Sequence, residues 1–351
     1  MGEVTIVRKV FLALLPVVAA MAGLGISQAA SWEQIVAEAK KEGVVRLYTQ
    51  DAMGQMLEKA LAPFTERYGI KVESLLMRGR EVRTRLSVEV RAGRVMGDIA
   101  VAGTTSLAGM WDDGLLEHWL PPSINILPPE LLKEAGVPET PLVPIAVNLQ
   151  GMLINTNLVP TKREPKCWRD LLDPFWRGKI VLDDPRSAGA GHSWFRALIQ
   201  IPDLGEAFHR RLAENKPFIM AGGGSTENAR MVEAGQFPIG IPVTTGLVRD
   251  RQGLPVRMVI TCEGISYSVN GAAVAKGAPH SNAAKALLEF LISEEAQRII
   301  GHDRTPARKG IAGPRAEWSL DRVKIVTFDR VVSAEERNKG YRLAEKLYGI
   351  R

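Results

Sequence analysis

The 351-residue sequence is poor in cysteine, with only Cys167 and Cys262. No histidine lies at metal-ligand spacing from either one, which argues against a metal site built on these two residues. In an oxidising compartment they form a disulfide only if their Cα atoms come within about 7 Å, which sequence separation does not establish. Their pairing is therefore left open.

Long runs of one charge sign are also absent. The 45 lysines and arginines exceed the 39 aspartates and glutamates by a net charge of +6, and these charges are dispersed along the chain. Basic runs interleaved with aromatic residues do not occur, so nucleic acid is excluded as a partner. A mildly cationic protein instead favours an anionic solute.

The first 29 residues have the pattern of an export signal. Arg8 and Lys9 precede an apolar stretch, 10–26, and small residues suit cleavage near Ala29. A proline and two glycines interrupt the stretch, which argues against a membrane anchor. No cysteine follows it, so a lipoprotein is not expected. The sequence predicts a periplasmic protein, and one arginine too few for a twin-arginine signal leaves the export route open.

Helix and strand patterns alternate along both halves of the remaining chain. Residues 44–102 show the order strand–helix–strand–helix–strand, which predicts parallel strands in a doubly wound sheet. Alternation resumes at residue 179 and predicts a second α/β unit. Between them lie a proline-rich connection, 120–144, and two short predicted strands, 143–148 and 152–155. Ligands of such sheets lie outside the carboxyl ends of the strands.

Three predicted strand-to-helix turns are rich in glycine, serine and threonine. The first follows the run 179–182, with β-branched residues at 180 and 181, where two aspartates and a proline lead into the small residues 187–191. The second carries three glycines before Ser225 and Thr226, and the third lies at 98–107. Such turns direct unpaired N–H groups at one point, which is typical of anion sites. A single glycine-rich turn is usually only a turn, but three together favour a pocket for a small anion.

Several stretches of the chain resemble ABC-transporter extracellular solute-binding proteins, in the branch with ferric-ion-binding and phosphate-ester-binding members. They are SWEQIVAEAKKEG, LLDPFWRGKIVLDDP, VNGAAVAKGAPHSNAAKALLEFLISEEAQRII and TPARKG. The resemblance implies a type II (cluster 2) periplasmic-binding fold, an α/β chain with two doubly wound Rossmann-like lobes joined by a two-crossing hinge. It divides the chain into a signal peptide, 1–29; lobe 1, 30–144 plus 269–313; lobe 2 with the hinge crossings, 145–268; and a C-terminal helical segment packing on the lobes, 314–351.

The residues that bind iron in the ferric branch are missing from the matching positions. Those relatives use a tyrosine pair in the second lobe with a histidine and a glutamate in the first. Here Thr244 and Thr245 stand at the tyrosine pair, Gly103 at the glutamate, and the loop after the first strand has Gln50 and Asp51 but no histidine. Fe(III) requires anionic oxygen ligands. The resemblance therefore predicts no iron site, and neither a metal nor a cofactor is expected.

The anion-binding part of the family's site is present. In the relatives a small-residue helix start of the second lobe binds phosphate or carbonate, and Ser187, Ala188 and Gly189 match it. Arg186 either adds a guanidinium suited to carboxylate or phosphate, or forms an interlobe or surface salt bridge. The predicted ligand-binding residues are Gln50, Asp51, Gly103, Thr104, Thr105, Arg186, Ser187, Ala188, Gly189, Gly224, Ser225, Thr226, Thr244, Thr245 and Glu263.

The resemblance implies a non-catalytic, monomeric solute receptor of an ABC importer. Its expected partners are a small solute, such as a phosphate ester, a phosphonate or a carboxylate, and an inner-membrane ABC permease. Two alternatives remain open: a ferric-ion or ferric-complex binding protein of the same family, and an exported enzyme or sensory binding protein on the same scaffold.

Overall fold

The computed structural model describes residues 1–2, 31–77, 79–186, 189–221, 224–245, 253–315, 318–320, 322–328 and 333–349. The predicted signal peptide and its cleavage site near Ala29 lie almost entirely outside these ranges. Residues Trp32–Arg351 form one compact unit. Among the described residues, no helix combines the length and the apolar character needed to cross a membrane.

The N-terminal half alternates helices and strands as predicted. Helix α1 ends at Glu42 and is followed by Gly43, whose positive φ of 68° suits a glycine at a helix C-terminus. Strand β1 pairs in parallel with both β2 and β3. The elements are α1 (Trp32–Glu42), β1 (Val44–Gln50), α2 (Asp51–Tyr68), β2 (Lys71–Met77), α3 (Gly79–Arg91), β3 (Ile99–Gly103), α4 (Thr104–Asp112) and α5 (Pro129–Ala135).

A second parallel set of strands follows a long connecting strand. In this set β5 pairs in parallel with β6 and β7. The elements are β4 (Val143–Asn155), β5 (Ile180–Asp183), α6 (Ala190–Ile199), α7 (Gly205–Glu214), β6 (Phe218–Met220), α8 (Gly224–Glu233), β7 (Ile239–Thr244), β8 (Val256–Val259), β9 (Ile265–Val274), α9 (Ser281–Leu291), α10 (Glu294–Gly301), β10 (Thr305–Pro306), β11 (Ile325–Phe328) and α11 (Ala334–Tyr348).

One mixed sheet connects the two sets, in the order β2-β1-β3-β9-β4-β7-β5-β6. The long strands β4 and β9 are antiparallel and lie at its centre. The predicted break at residues 149–151 is wrong, because β4 runs without interruption through Gly151. A Cβ on this residue would lie 2.7 Å from the carbonyl oxygen of Val259. The glycine therefore permits close approach of β8 and does not end the strand.

The prediction for 314–351 is a helical segment, but this part of the chain contains a strand as well as a helix. Strand β11 pairs in parallel with the first residues of β9. Helix α11 packs on α6 and α7, where the ring of Tyr348 lies 6.3 Å from that of Phe195. The predicted division into lobes stays a prediction.

Cys167 and Cys262 are joined in a disulfide with a Cα–Cα distance of 4.8 Å. The bond links the 3₁₀ helix Trp168–Leu172, which follows Cys167, to the turn that precedes β9. The sequence left the pairing of these two cysteines open; the structure shows that they are bonded although they lie 95 positions apart in the chain.

Candidate functional site

The carboxyl ends of the two parallel strand sets face each other across the centre of the sheet. Strand β3 ends at Gly103, which pairs with Asn270 of β9, and this residue pairs in turn with Ala146 of β4. Strand β7 runs in the opposite direction and ends at Thr244, which pairs with Gln150 of β4. Ala146 and Gln150 are four residues apart on β4. At about 3.3 Å per residue, the ends of β3 and β7 are therefore separated by about 13 Å along the strand direction. We refer to the region between them as the cleft.

The floor of the cleft carries a row of uncharged polar side chains. In β4 and β9 only Asn148 and Ser268 are partly exposed, and they are directly paired. Because side chains alternate along a strand, the polar residues in the middle of both strands fall on one face. We call the polar row the polar stripe; it consists of Asn148, Gln150, Ser266, Ser268 and Asn270.

Helices α6 and α2 begin on the same face of the sheet as the polar stripe. Gln150 Nε2 donates a 3.4 Å hydrogen bond to the carbonyl oxygen of Ala190, the first residue of α6. In the other half, Gly54 of α2 packs against Leu76 of β2. Leu76 is connected through its paired neighbours on β1 and β3 to Ala272 of β9. Side chains paired in this way lie on the same face of the sheet, and Ala272 lies on the face of the polar stripe. The two helices therefore start at opposite ends of the polar stripe.

Helices α4 and α8 lie on the opposite face. A Cβ on Gly271, which neighbours Asn270 and points away from the polar stripe, would lie 3.2 Å from Leu107 of α4. A Cβ on Gly240 would likewise lie 2.9 Å from Val232 of α8. The turns that begin these two helices reach the cleft from its apolar side, whereas the turn before α6 reaches it from the polar side.

The turn before α6 is held by the carboxylate of Asp183. Its Oδ2 accepts a 2.8 Å hydrogen bond from the backbone N–H of Gly191. A Cβ on Gly191 would overlap the carbonyl of Asp183, so this tight turn requires glycine. Burial raises the pKa of Asp183 to about 6, although the N–H groups of Gly191 and Asp184 act to lower it. One backbone donor of the α6 start is thus occupied by a protein carboxylate.

Gly189 lies at the mouth of this turn. Its φ of 154° and ψ of −170° fall in a region that glycine adopts readily and other residues do not. No heavy atom lies within 4 Å of the position of a Cβ at Gly189. The backbone is therefore accessible at this point. Ser187 and Ala188, the other predicted cradle residues, lie outside the described residues.

Arg186 forms an ion pair with Asp184. Its Nε donates to Oδ1 at 2.8 Å and its Nη2 to Oδ2 at 3.0 Å, in a bidentate arrangement. Although burial acts to raise it, these bonds and the Arg186 N–H hold the pKa of Asp184 below its ordinary value. Of the two interpretations of Arg186, the salt bridge is present, but it is local and not interlobe. A ligand role for Arg186 stays a prediction.

The turn before α8 is held against β7 by side-chain hydrogen bonds. Ser225 Oγ donates to the carbonyl oxygen of Pro242 at 3.1 Å, and Asn228 Nδ2 to that of Ile241 at 3.0 Å, so both side chains hold α8 against β7. At Gly224, φ is 65° and the position of a Cβ is open. The remaining predicted residues differ in burial: Thr104 and Thr245 are buried, whereas Gly103, Thr105, Thr226 and Thr244 are partly buried. Gln50 ends β1 and Asp51 begins α2, and the side chains of both lie outside the described part.

Glu263 is bound to the protein itself. Its carboxylate accepts hydrogen bonds from the backbone N–H groups of Trp168, at 2.8 Å, and Arg169, at 3.2 Å. Arg169 Nε adds a third at 3.2 Å. Glu263 also lies beside Cys167 and Cys262, but the disulfide uses both sulfur atoms and leaves no thiolate for a metal. Glu263 therefore stabilises the 3₁₀ helix Trp168–Leu172.

Residues 98–333 match the family model of the bacterial extracellular solute-binding proteins. The chain belongs to this family. It is 27% identical over 255 residues to an uncharacterized protein of Haemophilus influenzae, across 70% of this chain and 71% of that one. The resemblance proposed from the sequence is thereby confirmed, and the protein is a solute-binding protein of the ABC-importer type.

Two solved structures are similar in fold. The periplasmic binding protein AfuA of Actinobacillus pleuropneumoniae, with fructose-6-phosphate bound, has a TM-score of 0.74 at 21% identity, over 88% of this chain and 100% of that one. Iron-bound HitA of Pseudomonas aeruginosa has a TM-score of 0.71 at 20% identity, over 88% and 99%. Both are type II periplasmic binding proteins in fold, which confirms the predicted fold class.

Sequence reasoning missed the polar stripe of this solute-binding protein. Gln150 was predicted neither as a ligand-binding residue nor as part of a strand. A signal was nevertheless present, because polar residues recur at every second position, 148 and 150 in β4 and 266, 268 and 270 in β9, within otherwise apolar stretches. The glycine at 151 obscured it by suggesting a turn.

Proposed function

We propose that this protein captures a small anionic solute in the cleft and delivers it from the periplasm to an inner-membrane ABC permease. The solute class is a phosphate ester, a phosphonate or a carboxylate. The observation that carries the proposal is the hydrogen bond between Gln150 and Ala190, which joins the start of α6 to the cleft floor. Backbone N–H groups at a helix start, with the helix dipole, favour negative charge.

The proposal includes export and movement of the lobes. Cleavage of the signal near Ala29 releases a monomer whose two lobes, 30–144 plus 269–313 and 145–268, close on the solute about β4 and β9. The protein acts as a receptor and not as an enzyme, since the family and its structural neighbours are binding proteins.

An iron-binding role has less support. The end of β7 carries Thr244 and Thr245, whose hydroxyls are not anionic ligands for Fe(III). The phenol of Tyr48 donates to Glu89 at 2.7 Å, and that of Tyr348 lies 2.8 Å from His209 Nδ1. These two tyrosines are thus already engaged within the protein.

Differential scanning fluorimetry tests the proposal with phosphate esters, phosphonates, carboxylates and ferric citrate. A ligand at one hundred times its dissociation constant stabilises the folded protein by about 2.7 kcal/mol, which raises the melting temperature by several degrees. We expect an organic anion to give this shift and ferric citrate to give none. A shift with ferric citrate alone, accompanied by a visible iron-to-protein absorption band, contradicts the proposal.

A further inference from the structure

A small pocket lies between the 3₁₀ helix Trp168–Leu172 and helix α7. Its volume is about 190 Å³, whereas a single water molecule needs only about 10–15 Å³. None of the residues that line it belongs to the polar stripe or to the turns that begin α4, α6 and α8. We call it the arginine pocket; its lining includes Arg169, Leu172, Asp203, Leu204, Phe208 and Arg211.

We infer that the arginine pocket is a second binding site, which takes a small aliphatic monocarboxylate. Its two arginines bind the carboxylate group, and its apolar floor holds the aliphatic chain. This site goes beyond the proposed function and does not depend on it, because the proposed solute lies at the start of α6.

The floor of the arginine pocket is apolar. Leu204 and Phe208 are only 4% and 2% exposed, and Leu172 packs against the same hydrophobic cluster. Leu204 and Phe208 are four residues apart at the start of α7, so they lie on one face of this helix. An aliphatic chain placed on this floor removes apolar surface of both the ligand and the protein from water.

Arg169 is held in position for a ligand. Its Nε and its backbone N–H both donate to Glu263 Oε1 at 3.2 Å, and the side chain of Glu263 is only 5% exposed. The side chain of Arg169 is 54% exposed, and its two Nη groups bind no other described residue. A guanidinium that is already fixed through Nε loses less freedom when its Nη groups bind a carboxylate.

The second arginine of the pocket is unpaired within the described part of the chain. Arg211 forms no hydrogen bond or ion pair there, whereas its neighbour Arg210 is paired with Glu206. A carboxylate that contacts Arg169 and Arg211 reduces the repulsion between their charges. Asp203, which is likewise unpaired among the described residues, lowers the net charge of the pocket lining to +1. The charge of the lining therefore favours one carboxylate over two.

Ligand-observed NMR titration tests the inference with four matched probes. Isocaproate carries one carboxylate and a branched chain, acetate lacks the chain, isohexanol lacks the charge, and adipate carries a second carboxylate. We expect isocaproate to bind about tenfold or more tightly than each of the others. Arg211→Gln should weaken the binding of isocaproate about tenfold or more. Arg210→Gln, the adjacent arginine of α7, is the matched control and should bind isocaproate as the parent does.

Each contrary outcome identifies what fails. Equal affinity of the parent and Arg211→Gln for isocaproate, or no binding of isocaproate at millimolar concentrations, overturns the inference. Acetate, isohexanol or adipate bound as tightly as isocaproate overturns the assigned ligand class. If Arg211→Gln does not fold, Arg211→Lys replaces it, and the loss of the planar guanidinium should still weaken isocaproate several-fold. The proposed function is tested separately by thermal shifts with phosphate esters, which we expect to be the same in Arg211→Gln and the parent.

Discussion

The buried carboxyl of Asp183 makes the stability of the protein depend on pH in a way that Asp183→Asn should abolish. The side chain accepts the N–H of Gly191 at the start of α6 and is only 5% exposed. Burial raises its pKa from the usual 3.8 to about 6. Because the folded-state pKa is the higher one, the native protein favours protonated Asp183. Its contribution to stability is complete below pH 3.8 and is lost as the pH rises through 6.

The size of this effect follows from the difference in pKa. The native value of about 6 exceeds the unfolded value of 3.8 by about 2. At 1.36 kcal/mol for each unit, ionised Asp183 destabilises the native state at pH 8 by about 3 kcal/mol relative to pH 3. Asparagine keeps an oxygen that accepts the Gly191 N–H and has no charge to desolvate. The free energy of unfolding of Asp183→Asn minus that of the parent should therefore rise by about 3 kcal/mol between these pH values.

The assay must use the difference between the two proteins, since His209 acts with the opposite sign. Burial lowers the pKa of His209 from 6.5 to about 3, so its contribution is complete above pH 6.5 and is lost as the pH falls. Urea denaturation of both proteins from pH 3 to 8 cancels this common term. The buried rings of Trp168 and Trp194, 5.5 Å apart, make tryptophan fluorescence a suitable signal.

Asp184→Asn is the matched control for Asp183→Asn. Its neighbour Arg186 lowers the pKa of Asp184 against the effect of burial. The contribution of Asp184 is thus present above its unfolded pKa and lost as the pH falls, so the control should lose stability at pH 7 and little at the lowest pH. If the difference between Asp183→Asn and the parent does not change with pH, Asp183 is not a desolvated carboxyl and the reasoning fails.

Two further predictions concern the packing of the second strand set. Replacing Cys167 and Cys262 with serine opens a loop of 95 residues, which by chain entropy lowers the free energy of unfolding by up to about 4 to 5 kcal/mol; equal urea midpoints with and without a reducing agent would contradict this. Tyr348→Phe removes the partner of His209 Nδ1 in a buried site and should cost about 1–3 kcal/mol, whereas Tyr68→Phe, whose hydroxyl makes no described hydrogen bond, should cost little in the same thermal scans.

Local patterns predicted the elements that bury one apolar face. The alternation over residues 44–102 gave β1 to β3 in the correct order, because each helix and strand there carries its own periodicity and stop signals. The same reasoning failed at Gly151. Hydrogen bonds from β9 on one side and from β7 and β8 on the other extend β4 through a residue with low strand propensity.

Contacts between distant residues could not be predicted from the sequence. Glu263 was predicted among the ligand-binding residues; its carboxylate binds the backbone of Trp168, 95 positions away in the chain, and a contact with the solute stays a prediction. The disulfide between Cys167 and Cys262 has the same cause, since only the folded chain brings the two segments together. Arg186 is different, because its partner Asp184 is two residues away. A local ion pair was thus available from the sequence but could not be distinguished from a ligand group.

Gln150 connects the site to the part of the molecule that a hinge would use. It lies on β4, accepts a hydrogen bond from Ser266 on β9 and donates one to the first turn of α6. Any rotation of α6 relative to the central strands must stretch or break these bonds, and a solute at the α6 turn adds contacts that oppose the rotation. Gln150 therefore connects the turn at which we propose anion binding to both central strands, β4 and β9. If the solute binds at the α6 turn as proposed, these bonds link its binding to the arrangement of the two strand sets.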